Sequence, residues 1–159
     1  MIKLALCFVL RILPVLYMFW IWVQSSTFNP SSFEGMHSKI GIPVFLFLGA
    51  ILEIGHLFEF AILYFLLIIA FLTFGNLNIQ KEIGAFLIAF LYGVLDEIHQ
   101  YYVPFRSTST FDLVKNTIGI IVISYIIHRS YYKNIYSKLG GLLRRIPDNP
   151  RRKKPNIPL

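Results

Sequence analysis

Four long apolar runs leave this chain few ways to fold. They cover residues 4–23, 55–74, 83–103 and 111–128. The hydrocarbon core of a bilayer is about 30 Å thick, so a spanning helix needs roughly 20 apolar residues. Each run is close to that length. The pattern predicts an all-α integral membrane protein with four transmembrane helices. A fifth stretch, residues 40–54, is shorter and holds Gly41 and Pro43. It reads as a short interfacial or re-entrant helix on the outer side. A five-span arrangement with a turn near Glu53–His56 is the alternative.

Charge sets the direction of the spans. Residues 1–128 hold six Lys/Arg against seven Asp/Glu, a net of −1. Residues 129–159 hold nine Lys/Arg against one Asp, a net of +8. The whole basic balance of the chain therefore sits in a short tail. Basic residues collect at the cytoplasmic ends of spans. The tail is expected in the cytoplasm, and four spans bring Lys3 and Arg11 to the same side. The reading is a multi-pass cell-membrane protein with both termini cytoplasmic. It divides into a transmembrane domain, 1–128, and a basic cytoplasmic tail, 129–159.

The tail reads as a topology signal that also touches anionic lipid, with no specific nucleic-acid partner. Charged residues are only 14% of the chain, which excludes a disordered polyelectrolyte and an ordinary soluble domain. Cys7 is the single cysteine, so this chain alone builds neither a disulfide framework nor a thiolate metal site. The first run follows Lys3 as a signal sequence would. No small-residue cleavage site is clear after it, and it reads as an uncleaved anchor. Arg11 either snorkels to the cytoplasmic surface or precedes the true start of the span. His37, His128 and the tyrosines Tyr131, Tyr132 and Tyr136 read as interfacial.

With that orientation, ionisable groups from separate runs converge on the outer leaflet. His56 and Glu59 begin the second run. Asp96, Glu97, His99 and Gln100 end the third. Asp112, Lys115 and Asn116 begin the fourth, and Arg106 lies between the last two. A carboxylate deep in a span costs roughly 2.5–3.5 kcal/mol on insertion scales, so these acids need partners or water. Arg106 is the natural partner, because its planar fork holds a carboxylate through two hydrogen bonds. Helical spacing of three and four places His56 with Glu59, Asp96 with Gln100, and Asp112 with Lys115, Asn116 and Gly119 on shared faces. The candidate cluster is His56, Glu59, Asp96, Glu97, Gln100, Arg106, Asp112 and Asn116. The simpler reading is that these groups hold the spans together. Their number exceeds what that task needs.

The stretch Asp96-Glu97-Ile98-His99-Gln100, followed by Pro104, Arg106, Ser109, Asp112, Asn116 and Gly119, resembles the signature of the VanZ-like family. His56-Leu57-Phe58-Glu59-Phe60 is similar to that family's His-Phe-x-x-Tyr element, and Gln24-Ser25-Ser26 to the Ser-Ser after its first span. Phe105 and Ile123 depart from the pattern, standing where glycine is usual. The resemblance implies a small bacterial membrane protein tied to the cell envelope and to glycopeptide (teicoplanin) susceptibility. On that reading the outward-facing cluster binds or modulates an envelope component. The partners implied are membrane lipid, and a lipid-linked cell-wall precursor or a glycopeptide. Arg106 would hold phosphate or carboxylate, while Asp96, Glu97 and Asp112 accept hydrogen bonds from sugar or amine groups.

The alternative is a membrane enzyme acting on a lipid-linked or peptidoglycan substrate by acid/base chemistry, with His56 and His99 beside the acids. The sequence assigns no catalytic residue and carries no stereotyped metal motif, so no metal and no cofactor is expected, with oxygen ligation of a divalent ion by Asp96, Glu97 and Asp112 as the alternative within the enzyme reading. Transport through the buried acids is a third reading. It suits poorly a chain whose polar groups gather in one leaflet and which shows no inverted repeat.

Overall fold

The computed structural model describes residues 2–27, 42–104 and 109–146, and among these the regular structure is entirely helical. The first run forms α1 (Ile2–Thr27), which continues through Pro14. After it come α2 (Ile42–Leu72), α3 (Ile79–Tyr102) and α4 (Thr110–His128). A π-helical turn, Arg129–Lys133, extends α4, and the short α5 (Lys138–Leu143) follows. By length and composition, residues Leu4–Thr27 and Thr110–Lys133 form two helices able to cross a membrane.

The expectation of a separate short helix over residues 40–54 is corrected. From Ile42 the chain runs as one helix of 31 residues to Leu72. Pro43 falls in its first turn, where the missing N–H would have had no acceptor. Gly55 sits in the interior, and a helical glycine costs only about 1 kcal/mol relative to alanine. That is too little to break a helix flanked by long apolar neighbours.

Helix α2 is the centre of the bundle and packs against α1, α3 and α4. Its buried face is Phe60, Leu63, Tyr64, Leu67, Ile68 and Leu72. Helix α3 answers with small residues: Ala85 and Ala89 are fully buried, and Gly93 lies against the Phe60 ring. Ile21 of α1 and Ile120 and Ile127 of α4 complete the core. Gly119 brings α4 onto α2 so closely that a Cβ there would overlap the carbonyl oxygen of Leu57. The outward faces are apolar as well: Phe19, Leu91 and Ile121 are all more than half exposed.

Two cations close the turn between α2 and α3. Lys81 Nζ donates to the carbonyls of Phe71 (3.0 Å), Gly75 (2.9 Å) and Asn76 (3.0 Å). These carbonyls lie at and just beyond the end of α2, where the helix itself supplies few donors. Arg11 reaches the same turn from α1, donating through Nε to Thr73 Oγ1 at 2.8 Å, with its guanidinium 3.9 Å from the Phe74 ring centre. Arg11 thus acts as a tertiary clamp within α1. Asn78 caps α3 by accepting from Lys81 N, and Gly75 turns the chain at φ 119°.

Packing does not stop at His128. Arg144 donates to the carbonyls of Ser130 (3.1 Å), Tyr131 (2.6 Å) and Ile135 (3.0 Å), folding α5 back onto the π-helical turn. Tyr131, expected at an interface, is buried instead, and its hydroxyl accepts from Leu77 N at 3.2 Å. The first part of the basic tail is therefore a folded cap. Residues 147–159 lie outside the described set.

Gly119→Ala is expected to destabilise the bundle by about 1–3 kcal/mol, the usual cost of overpacking. Gly55→Ala, which meets no atom within 4 Å, is expected to be neutral or to stabilise by up to about 1 kcal/mol. Thermal unfolding of the two variants in the same detergent checks the contrast.

Candidate functional site

The far end of α3 carries the cluster. Asp96 and Gln100 are each 2% exposed and lie one turn apart. Gln100 Nε2 donates to Asp96 Oδ2 at 2.7 Å and to Ser25 Oγ at 3.0 Å. One amide therefore ties α3 to α1 while supplying a donor to a buried carboxylate. Glu97 is also buried, and its Oε2 accepts from Ser109 N at 3.1 Å. Ser109 is the N-cap residue of α4 and makes no capping bond with its own side chain. Glu97 satisfies this N–H from another helix, and its negative charge suits the positive end of the α4 dipole.

The neighbouring side of α3 meets α1 through stacked rings. Trp22 and His99 lie 3.7 Å apart between ring centres at 21°, and Ser26 Oγ is 2.8 Å from His99 Nε2. Ser26 Oγ also lies 2.8 Å from the carbonyl of Trp22, to which it donates. A hydroxyl has one proton. With that proton on Trp22, His99 Nε2–H is the donor to Ser26, which is the wrong direction for a base activating a serine. Tyr92 adds another tie, donating to the carbonyl of Met18 at 2.6 Å.

The predicted residues separate into groups. Asp96, Glu97 and Gln100 are brought together and buried. Glu59 of α2 and Asn116 of α4 are buried on the helices that flank them. Asp112 stays at the edge, part exposed, paired with Lys115 of its own helix. His56 lies on α2, but its side chain is outside the described set, as is Arg106. Among the described residues no group of three or more His, Cys, Asp or Glu side chains is arranged to hold a metal ion.

Among the described residues four buried acceptors have no donor: Glu82 Oε1 near the start of α3 and, in the cluster, Gln24 Oε1, Asp96 Oδ1 and Asn116 Oδ1. The three in the cluster come from α1, α3 and α4. An unpaired buried acceptor forgoes roughly 1–3 kcal/mol, so native structures leave few of them. The arrangement can therefore receive a molecule that brings N–H or O–H donors.

Sequence reasoning missed a second polar contact, near the opposite end of α3. Glu82 is buried and its Oε2 lies 2.9 Å from His128 Nδ1. His128 thus has a specific partner where only an interfacial position was expected. The signal was present: Glu82, Ala85, Ala89, Gly93, Asp96 and Gln100 recur at spacings of three and four, so they form one stripe.

These features define a helical bundle with an apolar exterior and carboxylates buried inside it. The chain matches the family described as VanZ/LLP1 over residues 4–131, and it belongs to that family. No curated protein and no solved structure gives a match.

If the Gln100 amide is what makes Asp96 tolerable, Gln100→Leu should cost about 1–3 kcal/mol by stranding the carboxylate. The double variant Asp96→Leu/Gln100→Leu should then recover part of that loss. Unfolding free energies in detergent micelles decide it: a double variant no more stable than Gln100→Leu would break the link.

Proposed function

We propose that this protein is a four-span cell-membrane protein, with both termini cytoplasmic, whose outward-facing polar cluster binds a cell-envelope component. The observation that carries the reading is the set of donorless buried acceptors on Gln24, Asp96 and Asn116. They ask for a ligand rich in hydrogen-bond donors, such as the hydroxyls and amines of a sugar-bearing or amine-bearing headgroup. Arg106, close in sequence to this end of α3 and α4, would take the ligand's phosphate or carboxylate. A lipid-linked cell-wall precursor or a glycopeptide carries such groups, and glycopeptide (teicoplanin) susceptibility is the expected phenotype.

Four spans are supported by the outward face of α3, where Ile83, Leu87, Leu91, Leu95 and Ile98 are all exposed. In water such a face would be costly, whereas lipid suits it. Glu82 and Asp96 are 14 positions apart on α3, about 21 Å at 1.5 Å per residue. That separation lets the polar groups at each end approach opposite surfaces of one hydrocarbon layer.

Asn116→Leu separates ligand binding from structural glue. If Asn116 holds the bundle together, the variant loses stability. If it receives a ligand, removing a donorless acceptor leaves unfolding unchanged or raises its free energy by about 1–3 kcal/mol. It should then abolish any change in teicoplanin susceptibility conferred by expressing the protein. Arg106→Ala should also abolish that phenotype, at an unchanged level of protein in the membrane.

A further inference from the structure

The end of the bundle opposite the cluster also carries a groove. An open groove of about 540 Å³ is lined by Tyr125, His128, Arg129, Lys133 and Asn134. Three observations make it more than a basic surface. First, Arg11, Lys81 and Arg144 at this end all donate to backbone carbonyls. The side chains of Arg129 and Lys133 make no hydrogen bond or ion pair with the described residues and are exposed, as are those of Lys138 and Arg145, but only Arg129 and Lys133 line the groove.

Second, His128 is held in place. Glu82 Oε2, buried beneath it, lies 2.9 Å from Nδ1, which leaves Nε2 for another partner. Tyr132 packs against the same imidazole, with ring centres 4.9 Å apart. Third, the backbone leaves the α-helical register here. Arg129–Lys133 is a π-helical turn, a widening that re-aims side chains and is frequent at functional sites. It carries Arg129 and Lys133, and Asn134 follows directly.

We propose that this groove is an anion site for a phosphate mono- or diester, with Arg129 and Lys133 as its cationic arms and His128 as its floor. The guanidinium offers a planar fork to two phosphate oxygens, and the ammonium a mobile point charge. Arg129 and Lys133 supply the positive charge of the groove. The same chemistry is offered by an anionic phospholipid headgroup and by a free phosphate. Exposed Val122 and Ile126, one turn before the groove on α4, give a lipid's chains an apolar surface that a free phosphate would not use.

The test uses the full chain in detergent micelles. It is titrated with short-chain phosphatidylglycerol and, separately, with inorganic phosphate, and native mass spectrometry follows the bound fraction. Saturable one-to-one binding of either probe is expected. Arg129→Gln/Lys133→Gln should weaken it at least tenfold. Lys138→Gln/Arg145→Gln removes the same charge from exposed positions outside the groove, and should weaken it less than twofold. Circular dichroism confirms that both variants keep their helicity. Tighter binding of phosphatidylglycerol identifies a lipid headgroup as the source, and tighter binding of phosphate a soluble one. Equal weakening in the two double variants, or no saturable binding of either probe, overturns the proposal.

Discussion

The buried stripe of α3 is the constraint on which the rest of the bundle depends. Its middle, Ala85, Ala89 and Gly93, has almost no side-chain volume, so the large residues of α2 can fill the interior. Its two ends, Glu82 and the pair Asp96–Gln100, carry polar groups where a core would normally exclude them. A buried carboxylate loses several kcal/mol of solvation on the order of magnitude seen in real proteins, and it persists only with donors around it. Each end therefore recruits a neighbouring helix: Ser25 and Ser109 at one, His128 at the other.

The satisfied contacts hold the helices together, and beside them some buried acceptors stay without a donor among the described residues. Gln100 bridges α1 and α3, and Glu97 anchors the start of α4, so both have structural duties that their burial alone explains. Gln24, Asp96 and Asn116 each keep an acceptor that nothing in the described chain uses. The distinction runs through single residues: Asp96 has one oxygen tied to Gln100 and one left over.

The cations follow the same logic. Arg11, Lys81 and Arg144 each end on main-chain carbonyls at helix termini, where a positive charge complements the dipole. They fix how the turn after α2 and the cap formed by α5 sit on the bundle. Arg129 and Lys133 have no such task, and they flank a groove.

The sequence by itself determined the helical class, the family and the run of polar residues at the end of α3. These follow from local rules: the length of apolar runs, the spacing of residues along a helix, and a motif whose elements lie close together in the chain. It also placed Gly119 on the face of Asp112 and Asn116, by helical spacing. What it did not decide was pairing. Ser25 and Gln100 are 75 positions apart, and Glu82 and His128 are 46 apart, so no local spacing connects them. Asp112 shares its helix face with Asn116 in the sequence, yet only Asn116 is buried, because depth depends on the neighbouring helices. The continuation of α2 through Gly55 was likewise settled by tertiary structure. A helix-weakening residue costs about 1 kcal/mol, and packing on either side of it exceeds that.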